Sequence, residues 1–188
     1  MFSAKIFYKT PMRSKTFSES NLFLFQRILK IISGIVLIFA CSQISLPLEP
    51  VPITLQTVAV MLIGLTYSKS DGLISMIAYV LAGTAGLPVF ANFASGITSP
   101  SSGYLFGFIA AVYVMNQFKE KFGLRSFLSI IFACVLGNII LFAVGIAWLS
   151  TFIGISGAIT HGLMPFVAPG LIKACLLSAS LKVIGFKR

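Results

Sequence analysis

An all-α integral membrane protein, folded as a six-transmembrane-helix bundle with both termini cytoplasmic, is the structure that this sequence predicts. Three observations support it: 57% of the 188 residues are hydrophobic and only 10% are charged, the apolar residues form six long segments, and the basic residues lie almost entirely on one side of those segments. A soluble domain of this length needs a polar surface that this composition does not supply, whereas a bilayer removes that need.

The six apolar segments are separated by proline-rich, glycine-rich or charged stretches, which favour helix ends. Crossing a bilayer takes about 20 residues of helix. The predicted spans are residues 28–46, 54–68, 72–90, 103–118, 126–149 and 165–185. We expect uncharged loops at 91–102 and 150–164, a basic N-terminal tail over residues 1–26, and a transmembrane substrate-binding domain over residues 27–188.

The net charge of +10 is explained by membrane topology. Thirteen of the fourteen Lys and Arg residues lie in or beside the tail, the connections at 69–71 and 119–125, and the C-terminus. The positive-inside rule places these parts in the cytoplasm. Since the basic residues alternate with long apolar runs, we expect contact with membrane lipid in the cell membrane and no nucleic-acid partner.

The sequence also limits which metal, cofactor or nucleotide sites the chain can form. The three cysteines lie within apolar segments and lack the spacing of metal ligands, so we expect small packing residues, no metal and no cofactor. The chain contains no phosphate-binding loop of the form GxxxxGK[ST]. Uptake against a gradient would therefore draw its energy from a partner.

Lys173, the fourteenth basic residue, lies alone inside the sixth span. A charge within hydrocarbon costs a few kcal/mol or more, so such a group usually faces a cavity or a partner. At 1.5 Å of helix rise per residue, Lys173 lies roughly 10 Å below the outer end of its span. Its ammonium either snorkels to the interface or lines an outward-opening cavity, and we favour the cavity.

Three segments on the same outer side have the Gly/Pro-interrupted character that is tolerated at membrane depth where backbone lines protein or a wet cavity. They are residues 50–57 (PVPITLQT), 86–92 (GLPVFAN) and 100–108 (PSSGYLFGF). With the lysine they offer amides, hydroxyls, aromatic faces and one cation, which suits a ligand with a hydrogen-bonding head, an apolar body and a carboxylate. The candidate ligand-binding residues are Lys173, Asn92, Tyr104, Gln56, Phe90, Ser102 and Gly103.

Some polar residues also have a purely structural interpretation. Gln56 can cap the second helix, and Tyr104 can anchor the fourth at the membrane interface. Asn138, in the middle of the fifth span, is expected to form a hydrogen bond between helices.

The motifs together resemble those of a known family. The order PVPITLQT, GLPVF, P-x-x-GYLxGF, GIAWL (residues 145–149) and an intramembrane lysine is similar to the BioY family, the biotin-binding S components of energy-coupling-factor (ECF) transporters. The resemblance covers about residues 30–185. It implies a six-helix bundle that binds biotin near its outer face, a lid at 45–53, and a transmembrane T component with a pair of ATPases as partners.

The resemblance also implies residue roles. Lys173 stands at the position of the family's ligand-contacting lysine, and Asn92 at that of an asparagine that binds the ureido group. The family has an aspartate three residues before the lysine, where this chain has Gly170. From the resemblance we predict a substrate-capture subunit for biotin uptake. Because of the difference at Gly170, a different carboxylate-bearing vitamin is the alternative ligand.

A hypothesis of another class comes from residues 154–157 (GISG), which match the GxSG string of rhomboid intramembrane proteases. Serine chemistry needs a base within hydrogen-bonding distance of the hydroxyl. The candidate pair is Ser156 and His161, and the chain has no other histidine. Rhomboids bring their histidine from a separate, later helix, whereas both residues here lie in one predicted loop. We therefore expect no catalytic residues and no enzymatic activity.

Overall fold

The computed structural model describes residues 17–186, with side chains from residue 21 onward. Residues 1–16 of the predicted tail lie outside this described part. The helices are α1 (Phe17–Gln43), α2 (Gln56–Thr66), α3 (Lys69–Thr84), α4 (Ser102–Phe122), α5 (Phe127–Gly162) and α6 (Met164–Val183). Two short strands, β1 (Ser45–Leu46) and β2 (Ile53–Thr54), and a 3-10 turn at Ala91–Phe93 lie between helices.

The predicted all-helical membrane architecture is confirmed at the level of six helices. By length and composition, three helices in the described part are apolar enough to cross a bilayer: α1 over Asn21–Gln43, α5 and α6. Helix α2 is apolar but shorter.

Helix α5 differs most from the sequence-based expectation. The prediction of a loop at 150–164 is wrong, because residues 150–162 continue the helix. This stretch contains no proline, and the regular helix is interrupted at Gly154, where φ is 72° and ψ is 165°. Glycine adopts such positive φ values without the steric cost that other residues meet. Helix α5 therefore consists of two helical pieces.

Helix α3 ends at Thr84, whereas the sequence predicts a span that continues to residue 90. The chain turns at Gly86, whose φ of 101° is outside the helical range. From there to residue 101 it runs irregularly apart from the short 3-10 turn. This irregular segment covers one end of the bundle.

Glycines let α4 and α5 approach each other closely. A Cβ atom added to Gly103 would lie 2.1 Å from Cβ of Trp148, and one added to Gly107 would lie 2.7 Å from the Leu141 carbonyl oxygen. Small residues allow this kind of backbone approach between membrane helices. The closely packed pair supplies one wall of the site described below.

Charged side chains gather at the opposite end of the bundle. Arg27 on α1 pairs with Asp71 in the first turn of α3, with Nε 2.7 Å from Oδ1. Lys119 on α4 donates hydrogen bonds to carbonyl oxygens at the end of α2, including that of Tyr67 at 2.5 Å. A cation at a helix C-terminus stabilises the unpaired carbonyl groups there. The two ends of the molecule therefore differ sharply in charge.

The predicted lid at 45–53 contains a pair of short strands. Strands β1 and β2 pair antiparallel, with Ser45 opposite Thr54 and Leu46 opposite Ile53. The connection between them returns the chain to the start of α2. This pairing places Thr54 beside α6.

Candidate functional site

A cavity of about 270 Å³ lies at the end of the bundle away from the charge cluster. Its wall comes from the lid region, the irregular segment and helices α2, α4, α5 and α6, and each of the three predicted segments contributes residues to it. The volume is near the lower end of ordinary ligand pockets, about 300–1,000 Å³. The cavity therefore suits a small metabolite.

Lys173 is the one charged residue that lines this cavity in the described part of the chain. Its ammonium donates hydrogen bonds to the Thr54 carbonyl oxygen at 2.5 Å and to Thr57 Oγ1 at 3.2 Å. Both acceptors are neutral, and the ion pairs among the described residues involve other side chains. An ammonium carries three N–H groups, so one donor is free of these contacts and the charge is uncompensated. This geometry favours the cavity interpretation over snorkelling.

Gln56 lines the cavity, but its amide is engaged by the protein. Nε2 donates to the Tyr79 hydroxyl at 2.8 Å, and Oε1 accepts from Thr54 Oγ1 at 3.1 Å. The Tyr79 hydroxyl in turn donates to the Val89 carbonyl oxygen at 2.9 Å. Gln56 thus connects the lid, α3 and the irregular segment, and its side chain does not cap α2.

Tyr104 contributes an aromatic surface to the cavity. Its hydroxyl donates to the Gly162 carbonyl oxygen at 2.8 Å, which leaves the ring as the part available to a ligand. The ring centroid lies 6.2 Å from that of Phe142 and 6.3 Å from that of Phe166. All three residues line the cavity, so one side of it offers an apolar surface.

Phe90 and Asn92 line the cavity from the irregular segment. Phe90 is buried and packs edge-on against Tyr79, with ring centroids 5.5 Å apart. Asn92 is exposed, and its Oδ1 accepts a hydrogen bond from Ser45 Oγ of β1 at 2.8 Å. Asn92 has a positive φ of 57°, a region that asparagine tolerates better than most residues. The lid is thereby attached to the segment that carries Asn92.

Ser102 and Gly103 lie beside the cavity and are absent from its wall. Ser102 is fully buried, with its hydroxyl 3.0 Å from that of Ser99, and Gly103 packs against Trp148. Each helical residue turns about 100° from the one before it, and the preceding residue, Ser101, faces the cavity.

Several polar residues on the wall were not predicted as site residues: Thr54, Thr57, Ser95, Ser99, Ser101 and Asn138. Thr57 receives a hydrogen bond from the lysine ammonium, and Asn138 of α5 lies across from Gly170 of α6, where an added Cβ would be 3.5 Å from Asn138 Nδ2. The prediction that Asn138 forms a hydrogen bond between helices is wrong, since its side chain forms no hydrogen bond with the described residues. The sequence shows a mid-span amide at this position, but it does not show that the amide faces the cavity.

The protease hypothesis finds no support in the geometry. Ser156 and His161 both lie on the second piece of α5 and are exposed. Five residues apart, they point about 140° away from each other around the helix axis. No hydrogen bond joins the two side chains, and the Ser156 carbonyl oxygen accepts a hydrogen bond from Thr160 Oγ1 at 3.0 Å.

Comparison with known proteins agrees with the sequence motifs. The model of the BioY family matches residues 12–186. The probable biotin transporter BioY of Rickettsia prowazekii is 36% identical over 160 residues, which are 84% of this chain and 82% of that protein. The biotin transporter BioY of Thermotoga maritima is 40% identical over 159 residues, which are 81% of this chain and 93% of that protein.

A solved structure shares the fold. It is the S-component for biotin from an ECF-type ABC transporter, 24% identical in sequence, with a TM-score of 0.72 over 91% of this chain and 94% of that one. The six helices described above are therefore arranged as in an ECF S-component.

Proposed function

Because the chain belongs to the BioY family, we propose that it captures biotin in the cavity beside Lys173 and depends on a separate ATP-driven module for uptake. BioY proteins are membrane transporters, so the chain is not an enzyme. The observation that carries the proposal is an ammonium that lines a small cavity and has no carboxylate partner in the described part of the chain.

In the proposed topology all six helices span the cell membrane and both termini are cytoplasmic. The contrast between the two ends of the bundle supports this orientation. The cavity end holds Lys173 as its charged wall residue, while the other end holds Arg27, Lys119 and Asp71. The positive-inside rule then places the cavity near the outer face. We also propose the division into a tail and a transmembrane domain, with α1 beginning at Phe17 within the residues assigned to the tail.

Binding would use each part of the cavity wall for one part of the ligand. The carboxylate of biotin pairs with the free donor of Lys173, and its aliphatic chain and thiophane ring lie against the aromatic surface that includes Tyr104 and Phe90. The ureido head bonds to polar groups of the wall, among them Asn92. Because Asn92 is joined to Ser45 of β1, the lid closes over the same residue that faces the ligand.

Two kinds of protein partner follow from the proposal. The chain carries no phosphate-binding loop, so ATP hydrolysis would be performed by a pair of ATPase subunits, coupled through a transmembrane T component. The name of the solved S-component, which belongs to an ECF-type ABC transporter, supports this assignment.

Substitution of the lysine tests the proposal directly. We expect Lys173→Met to weaken biotin binding by about 2 kcal/mol, roughly 30-fold, because a hydrogen bond to a charged group contributes about 1.5–3 kcal/mol. Isothermal titration of the purified protein in detergent measures the affinity. Lys182→Met, at an exposed lysine of the same helix, is the matched control and should bind like the unmodified protein.

A neutral ligand separates the carboxylate contact from other effects of the substitution. Biotinamide, which lacks the charge, should bind the unmodified protein more weakly than biotin and should lose little more affinity in Lys173→Met. Undiminished biotin binding in Lys173→Met would contradict the assignment. If biotin fails to bind at all, a thermal-shift screen of carboxylate-bearing vitamins would identify the alternative ligand.

A further inference from the structure

We propose that Asn138 recognises the ligand's head by pairing its amide with one edge of a cyclic urea. The inference rests on the proposed function, since it takes biotin as the ligand. It adds a residue of α5, outside the sequence motifs, to the polar groups that bind the head.

Asn138 is a largely buried residue whose side-chain amide has no hydrogen-bond partner among the described residues and keeps some accessible surface. Its residue surface is 9% exposed, it lines the cavity, and its side chain forms no hydrogen bond with the described residues. Buried amides are nearly always hydrogen-bonded, because leaving one unpaired costs about 1–3 kcal/mol. The amide of Asn138 is therefore available to a partner that enters the cavity.

The surroundings of Asn138 indicate that a polar partner reaches it from the cavity. On its other side Asn138 borders a groove of about 400 Å³ between α5 and α6, whose remaining lining residues are all hydrophobic. Hydrocarbon chains of lipid offer no hydrogen bonds, so a polar partner at membrane depth must come from protein, water or ligand.

Gly170 keeps the space next to the amide open. A Cβ atom at this position would stand 3.5 Å from Asn138 Nδ2, and no other heavy atom outside the immediate backbone lies within 4 Å of it. Any longer side chain would extend into the space beside the amide nitrogen. With glycine there, a ligand atom can occupy that space and reach Nδ2.

Several other polar side chains of the wall are already engaged by the protein. The amide of Gln56 is bonded at both ends, by Tyr79 and by Thr54. The Tyr104 hydroxyl is bonded to a backbone carbonyl, and Oδ1 of Asn92 accepts from Ser45. Asn138 thus offers both an unengaged donor and an unengaged acceptor at a buried position.

A cyclic urea matches this pair of groups. Its edge presents an N–H donor next to a carbonyl acceptor, held in one plane by the ring. A primary amide presents the complementary donor and acceptor, also in one plane. Two parallel hydrogen bonds can form at once, which gives orientation as well as affinity.

The test compares biotin with 2-iminobiotin, in which a cyclic guanidinium replaces the urea and the acceptor becomes a donor. Both ligands are titrated into the full chain in detergent at neutral pH, with the unmodified protein, Asn138→Leu and Asn138→Asp. Asn116→Leu is the matched control, since Asn116 is fully buried in α4 and does not line the cavity.

Asn138→Leu should bind biotin about tenfold more weakly, as expected for loss of hydrogen bonds that leaves the ligand's groups unpaired. In Asn138→Asp the carboxylate accepts from the guanidinium, so the preference for biotin over 2-iminobiotin should fall by tenfold or more. Asn116→Leu should keep the unmodified preference. If Asn138→Leu does not fold, as judged by its thermal unfolding, the preference of Asn138→Asp decides.

The results that would overturn the inference differ in their consequence for the proposed function. If the unmodified protein binds biotin and the Asn138 variants keep its preference, Asn138 does not recognise the head and the proposed function stands. An equal loss for both ligands that Asn116→Leu reproduces leads to the same conclusion. If the unmodified protein does not bind biotin, both the inference and the proposed function fail.

Discussion

Replacement of Gly170 by alanine should change folding stability and ligand binding in opposite directions. In the free protein the added methyl group meets one neighbour, Asn138 Nδ2, at 3.5 Å, which is ordinary van der Waals contact. Alanine in place of glycine within a helix stabilises it by roughly 0.5–1 kcal/mol. We therefore expect the apparent melting temperature of the unliganded protein to rise by about 1–4 °C.

Binding should weaken because the methyl group takes space from the ligand. It occupies about the volume of a water molecule, about 30 Å³, in a cavity of only 270 Å³. Overpacking a close-fitting site by one carbon costs about 1–3 kcal/mol, or a fall in affinity between about fivefold and more than a hundredfold.

Two measurements on the same variant separate the effect on folding stability from the effect on binding. Thermal unfolding without ligand and isothermal titration with biotin are made on the same preparation of Gly170→Ala. Unchanged affinity with raised stability would refute the reasoning, because it would show that bound ligand leaves the space between α5 and α6 empty. A large loss of stability would show instead that the free cavity is not open at Gly170.

Two other substitutions probe the wall and the lid. Gly107→Ala should lower stability by about 1–3 kcal/mol in thermal unfolding, because its Cβ would lie 2.7 Å from a backbone oxygen of Leu141 that cannot rotate away; an unchanged melting temperature would contradict the close α4–α5 packing. Ser45→Ala removes the hydrogen bond from the lid to Asn92 and should speed biotin dissociation by about 2–10-fold in a stopped-flow chase. Ser150→Ala, which removes only a bond to Ala147 within α5, is its control, and equal dissociation rates in both variants would exclude a role for the lid contact.

The number of helices was predictable because apolar runs and their interruptions are local in sequence. Helix α6, expected over 165–185, is observed over Met164–Val183. Helix α5 was predicted too short, because the uncharged stretch after Trp148 was interpreted as a loop. This stretch is also apolar and free of proline, and the absence of charge alone does not distinguish a loop from a continuing helix. The one break, at Gly154, depends on a backbone conformation that many glycines do not adopt.

The site was predictable in part, for a different reason. The lysine stands out because a cation in an apolar run is costly wherever it lies. Asn138 does not stand out, since a mid-span amide satisfied by a neighbouring helix and one facing a cavity look the same in sequence. The rotation of α5 against α6 decides between them, and it is set by packing of residues distant in the chain. The same reasoning explains why Ser101 lines the cavity and Ser102 does not.

The polar groups of the cavity wall divide into two sets with different consequences for mutation. Gln56 and Tyr104 are hydrogen-bonded to the protein, and these bonds hold the lid, α3 and the C-terminal end of α5 in place. Their removal should weaken binding indirectly, together with folding stability. Lys173 and Asn138 have donors that the described protein leaves free, so their removal should affect binding more than stability. A wall held in place before the ligand arrives reduces the entropy lost on binding, and this preorganisation explains why a small cavity with few free polar groups can still select its ligand.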